Sequence, residues 1–179
     1  MITVINGTNR KGNITQVFAK AVVEILKSKS DETVNYLNLE DLPTETLNVS
    51  MYDEAIQSPQ IVKIQDEIFV PSNKIIFVMP EYNGSFPGIL KLFIDTLSVR
   101  NYVDTFKDKK VGFIGTAAGR AGNLRGIDHL IGVCQHVGMT AYPKNLPISS
   151  INGVLNENSE INEGTLGVMG RFVDGFLAF

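Results

Sequence analysis

Short, nearly continuous apolar runs alternate along this chain with longer segments whose apolar residues recur every three or four positions. The first pattern is that of a strand covered on both faces, the second that of a helix with one covered face. Residues 2–6 read as a strand, and a helix follows over about Thr15–Ser28 with Val17, Phe18, Ala21, Val22 and Ile25 on one face. Thr15 or Asn13 serves as its N-cap. Thr33–Leu39 is a second strand, with Val34, Tyr36 and Leu39 as its buried positions, and a polar, irregular stretch runs from Glu40 to Ser58. Pro59 suits the first turn of a helix carrying Ile61, Val62, Ile64, Ile68 and Phe69. The third strand is 74–79 and its helix covers about 87–99. Lys109–Thr116 is the fourth strand, and the helix after it, about 122–138, carries Leu124, Ile127, Leu130, Ile131, Cys134 and Val137. A short fifth strand falls near Thr140–Tyr142, and a last helix, about Asn162–Phe179, carries Leu166, Met169, Phe172, Val173 and Phe176.

Strands alternating with helices imply an α/β three-layer sandwich, a parallel sheet with helices on both faces. With right-handed crossovers, five strands fit the doubly wound order 2-1-3-4-5. The order then reverses between the first and third strands, and their exit loops flank the crevice where such sheets bind ligands. Residues 1–179 fit one domain, and no linker, repeat or low-complexity tract interrupts them.

Composition narrows the function classes. A net charge of −3 gives no electrostatic footprint for nucleic acid. No apolar run approaches the roughly 18 residues of a membrane span. The N-terminus enters a strand at once with no basic segment and apolar core, so the sequence points to a cytoplasmic protein without a signal peptide. Cys134 is the sole cysteine, which rules out an internal disulfide, fits a reducing compartment and reads as a small core residue.

The chemistry is concentrated in three loops. Residues 6–15, NGTNRKGNIT, combine hydroxyls at Thr8 and Thr15, amides at Asn9 and Asn13, the Arg10 guanidinium and free N–H groups at a helix start. A helix N-terminus favours an anion, and arginine adds charge-assisted hydrogen bonds, so the set suits a phosphate. Neither GxxxxGK[ST] nor GxGxxG is present. The second loop is Pro80-Glu81-Tyr82-Asn83-Gly84-Ser85, in which Tyr82 can cover a flat ring and Gly84 permits close backbone approach. The third, from Thr116 to Gly122, has small side chains that leave room for a planar group. His129 and His136 lie seven positions apart on one helix, too far for a shared metal, and read as structural or solvated. No metal-ligand spacing and no Ser/His/Asp arrangement is present.

The patterns G-T-N-R-x-x-N-x-T at 7–15 and P-E-Y-N-G-S-x-P-G-x-L-K at 80–91 resemble the NAD(P)H-dependent FMN reductase family of flavodoxin-like proteins, with its azo-, quinone- and chromate-reducing relatives. The resemblance covers about residues 2–145, and the second pattern is its specific part. Asn13 stands where the family usually has serine, Leu92 where asparagine is common, and Thr96-Leu97 where tryptophan is frequent. The resemblance implies FMN as cofactor and NADPH or NADH as co-substrate, with hydride passing from nicotinamide to flavin and electrons then to a flavin, quinone or similar small acceptor. It places the cofactor against Thr8, Arg10, Asn13, Ile14 and Thr15 at the phosphate, against Pro80, Glu81, Tyr82, Asn83 and Gly84 at the ring, and under a closing loop with Thr116 and Gly119. No side chain need act as general acid or base. A homodimer or homotetramer packed through the helices after strands three and four is implied, and five apolar residues of the helix at 87–99 (Leu90, Leu92, Phe93, Ile94, Leu97) exceed one buried stripe. The competing reading is a flavodoxin-type electron carrier or a flavin-binding redox protein without nicotinamide turnover; a carrier's first loop usually lacks an arginine, and carriers are typically far more acidic.

Overall fold

The computed structural model describes all residues 1–179, apart from the side chain of Thr44. Each strand follows from its sequence pattern. In β3 (Lys74–Pro80), Ile75, Phe77 and Met79 face one layer and Ile76 and Val78 the other, and all five are fully buried. A strand with both faces covered cannot afford polar alternation, which is why the run is continuous. β1 (Ile2–Asn6), β2 (Val34–Asn38), β3, β4 (Lys110–Thr116) and β5 (Thr140–Ala141) lie parallel in the flavodoxin-like order β2-β1-β3-β4-β5. A sixth strand not foreseen in the sequence, β6 (Leu146–Ile148), pairs with the second half of β4, so two short strands share the outer position.

α1 (Thr15–Lys29) and α6 (Glu163–Ala178) cover one face, packing Phe18, Val22, Leu26, Met169, Phe172 and Phe176 around Ile2, Val4, Ile76, Val78 and Ile114. α2 (Pro59–Ile64), α3 (Gly88–Leu97) and α5 (Leu124–His136) cover the other, where Phe69, Phe93, Ile127, Leu130 and Cys134 meet Ile75, Phe77 and Phe113. The buried faces are rotated slightly from the sequence reading. In α1 the fully covered positions include Ala19, Val23 and Leu26, while Val17, Ala21 and Ile25 are half-buried. In β2, an edge strand, Leu37 is the buried residue, Val34 and Tyr36 are half-buried, and Leu39 belongs to the following turn. Leu124 and Leu166 face solvent because each sits in the first turn of its helix, beyond the sheet's edge of cover. α2 runs on into one π-turn, Gln65–Phe69. Buried Gln65 sends its amide from that turn to the Leu97 carbonyl at 2.8 Å and to Thr105 Oγ1 at 2.7 Å, tying it to the end of α3 and to an unforeseen short helix, α4 (Tyr102–Phe106). No helix among the described residues is long and apolar enough to cross a membrane.

Candidate functional site

β1, β3 and β4 end together on Asn6, Pro80 and Thr116, which brings the three loops to one edge of the sheet. They are bonded to one another. Tyr82 OH and Thr8 Oγ1 lie 2.8 Å apart, joining the second loop to the first. Thr15 Oγ1 meets Thr116 Oγ1 at 3.0 Å, joining the first to the third. The Glu81 N–H donates to the Thr116 carbonyl at 3.0 Å, joining the second to the third.

The first loop ends in α1 with no acidic residue in the helix's first turn. Asn13 provides the cap, its Oδ1 accepting the Gln16 N–H at 3.0 Å, while Thr15 opens the helix. Among the described residues, the N–H groups of Asn13, Ile14 and Thr15 donate to no protein acceptor. Arg10 and Lys11 are exposed and form no ion pair among the described residues. A cavity of about 250 Å³ lies beside these groups, bounded by residues 10–15, Tyr82 and Ile151. Unsatisfied donors, a helix N-terminus and two free cations are together a chemistry that favours an anion.

The second loop is a two-residue hairpin turn. Tyr82 and Ser85 exchange backbone hydrogen bonds at 2.9 and 3.1 Å, with Asn83 (φ 51°) and Gly84 (φ 79°) at its left-handed corners. The Glu81 carboxylate accepts the Gly84 N–H. A Cβ on Gly84 would meet nothing within 4 Å, so the side of the turn it would occupy is open. Asn123, at the head of α5, steadies the base of this loop by donating to the Pro80 carbonyl at 2.9 Å and the Met79 carbonyl at 3.3 Å. The third loop is held from outside, the Ala117 N–H donating to the Ile148 carbonyl at 3.1 Å and the Ser150 N–H to the Gly119 carbonyl at 3.1 Å.

The twelve residues singled out in the sequence thus converge, but not on equal terms. Arg10, Asn13, Ile14, Thr15 and Tyr82 border the cavity. Glu81, Asn83 and Gly119 are exposed and do not line it, whereas Thr8, bonded to Tyr82, and Thr116 are fully covered. Sequence reasoning missed Glu40, Asn6, Asn38 and Asn123, which support the loops from behind; asparagine at a strand end or helix head was the available signal. His136 is exposed and remote from the site, but His129 Nδ1 lies 2.9 Å from Ser85 Oγ, so it props the hairpin turn from α5.

Residues 1–153 match the family described as NADPH-dependent FMN reductase. A 2-hydroxy-1,4-benzoquinone reductase of Burkholderia sp. is 24% identical over 99% of this chain and 94% of its own length. An NADPH azoreductase of Bacillus sp. strain OY1-2 is 25% identical over 89% of this chain and 84% of its own. Among solved structures, the flavoenzyme NAD(P)H:(acceptor) oxidoreductase FerB from Paracoccus denitrificans superimposes with a TM-score of 0.76 at 23% identity, covering 99% of this chain and 94% of that one. Such an identity speaks for the fold.

Proposed function

Because this chain belongs to the NADPH-dependent FMN reductase family, we propose that it is an FMN-dependent NAD(P)H oxidoreductase that reduces a small acceptor such as a flavin or quinone. The observation that carries the reading is the anion end of the site: three unpartnered N–H groups at the head of a fifteen-residue helix, beside an arginine free of any carboxylate. A terminal phosphate satisfies all of them. When bound, FMN supplies the two-electron transfer between a reduced nicotinamide and the acceptor.

The chain's own residues bind and orient. Arg10 and the N–H groups of Asn13, Ile14 and Thr15 hold the phosphate. Thr15 and Thr116 share one hydrogen bond between two hydroxyls, which leaves one hydroxyl hydrogen of the pair to donate onward. The Tyr82–Ser85 turn would hold the ring, its open side at Gly84 leaving room for backbone contact. Thr8 fixes Tyr82, and the small residues Ala117, Ala118 and Gly119 leave the opposite wall low. Among the described residues no histidine or cysteine borders the cavity.

The test is spectroscopic. Protein loaded with FMN should bleach on anaerobic addition of NADPH or NADH and recover its colour with a quinone. Arg10→Ala should weaken FMN on the order of tenfold to a hundredfold, the worth of a charge-assisted hydrogen bond, and riboflavin far less. Bound FMN that stays yellow with either nicotinamide would leave a flavin carrier as the reading.

A further inference from the structure

The first loop is held from behind by a chain of polar side chains in which every side-chain hydrogen of Asn6 and Asn13 already has a protein acceptor. β1 and β2 end in register on Asn6 and Asn38. Fully buried Asn6 donates its amide to Asn38 Oδ1 at 2.7 Å and to Asn13 Oδ1 at 3.2 Å. Asn13 Oδ1 also accepts from the Gln16 N–H. The two hydrogens of Asn13 Nδ2 go to the Arg10 carbonyl and to Glu40 Oε2, each at 2.9 Å. The other carboxylate oxygen of Glu40 takes the Gly12 N–H at 3.0 Å. A carboxamide has two hydrogens and one doubly accepting oxygen. Asn13 therefore has no side-chain donor left for a phosphate, and only its backbone N–H remains free.

Glu40 is the unexpected member. A carboxylate beside an anion site repels the anion, and neither Arg10 nor Lys11 lies within ion-pair distance to offset it. What it does supply is two acceptors at the point where the loop turns through Gly12, at φ +64°. We propose that Glu40 is a positioning residue for the phosphate site: through Asn13 and Gly12 it fixes the backbone of residues 10–15 so that the N–H groups of Asn13, Ile14 and Thr15 stay free for the ligand. Asn13 and Glu40 act as one unit, a second layer under the anion site. The inference rests on the reading that this loop takes the terminal phosphate of FMN.

The experiment is a titration of the ligand-free protein with FMN and with riboflavin, followed by flavin fluorescence. Glu40→Ala is expected to weaken FMN on the order of tenfold, against less than about threefold for riboflavin. Glu40→Gln keeps an acceptor for Gly12 but not for Asn13, so it falls between the two, and it carries the measurement if the alanine variant does not fold. In an Asn13→Ala background, Glu40→Gln should change FMN affinity by less than about threefold, because the link it breaks is already gone. Tighter FMN binding in either Glu40 variant would show the carboxylate to be only a repulsive neighbour and overturn the proposal. Equal loss of FMN and riboflavin would overturn it too, as would an undiminished Glu40→Gln effect without Asn13. Wild-type protein that binds neither flavin overturns the functional reading along with it, whereas wild-type that binds FMN beside indifferent Glu40 variants overturns the positioning role alone.

Discussion

At the scale of single residues, environment outweighs residue type. Cys134 has an ordinary thiol, yet burial alone pushes it up from 9.0 to about 12. The unfolded chain releases that proton near pH 9 while the folded chain keeps it. The folded state then binds more protons, so the stabilisation is complete below about pH 9 and is lost as pH rises toward 12. Tyr36 acts in the same direction from pH 10 upward: burial, then the Asp41 and Glu40 carboxylates, raise it to about 12 against a lowering contact from Asn6. Cys134→Ala removes one of the two. Between pH 8 and 10 it is expected to lose on the order of 1 kcal/mol less stability than the wild type, the worth of one proton over one pH unit. Urea midpoints at both pH values check this, and parallel pH dependences would show that the thiol does not titrate so. Asn13 teaches the same lesson. The sequence offers a carboxamide in a polar loop, which reads as a ligand donor. Only the folded chain shows that Glu40, from beyond the second strand, has claimed one of its hydrogens and the Arg10 carbonyl the other.

At the scale of elements, α5 shows how a helix can serve a loop that it does not contain. Its buried stripe of Ile127, Leu130 and Cys134 was readable as a helical repeat, because both faces of the problem, spacing and hydrophobicity, are local. Its second duty was not. Gly126 brings the helix against Asn123 and the second loop: a Cβ there would lie 2.1 Å from Asn123 Oδ1 and 2.8 Å from the Phe86 nitrogen. Gly126→Ala must move Asn123, which holds the carbonyls of Met79 and Pro80. A cost of about 1–3 kcal/mol is expected from the overpacking, together with weaker binding of both FMN and riboflavin, since the ring end is disturbed. Gly132 is the internal control. A Cβ there meets nothing within 4 Å, so Gly132→Ala should stabilise the same helix by about 0.5–1 kcal/mol. Denaturation midpoints of the two variants should shift in opposite directions; a shared sign would mean that the helix, not the contact with Asn123, decides. The stretch 40–58 stayed opaque for a related reason. It is pinned to α3 by buried Gln57, whose amide donates to the Thr96 carbonyl at 2.6 Å, a contact between residues thirty-nine positions apart that no local pattern announces.

At the scale of the whole molecule, the sequence pointed to an apolar surplus on the helix that is α3, and the structure redistributes it. Leu90, Phe93, Ile94 and Leu97 are all buried within the chain, and only Leu92 remains exposed. The open apolar surface lies instead around a cavity of about 500 Å³ between α3 and α5, well apart from the anion site, with Ile94, Tyr102 and Val133 in its wall and Leu92 and Val103 nearby on the surface. His129 sits on that wall as well as against Ser85, so whatever fills the cavity touches the prop of the hairpin turn. The homo-oligomer that the sequence resemblance implies would place a second copy of the chain here. Lys91, Asp95 and His136 on the same wall supply polar groups for a rim around an apolar centre, the composition of a protein interface. A stable pair would need to cover about 800 Å² on each partner, more than one groove offers, so the exposed apolar residues beside it must be included. Leu92→Glu combined with Val103→Glu places two carboxylates on that surface without touching the buried core. Wild-type protein is expected to scatter light as at least a dimer at micromolar concentration and the double variant as a monomer. The variant should also hold FMN less firmly at the ring, because His129 loses the packing that steadies it. A wild-type monomer at that concentration would refute the pairing, and a variant that stays dimeric would move the interface to another face of the molecule.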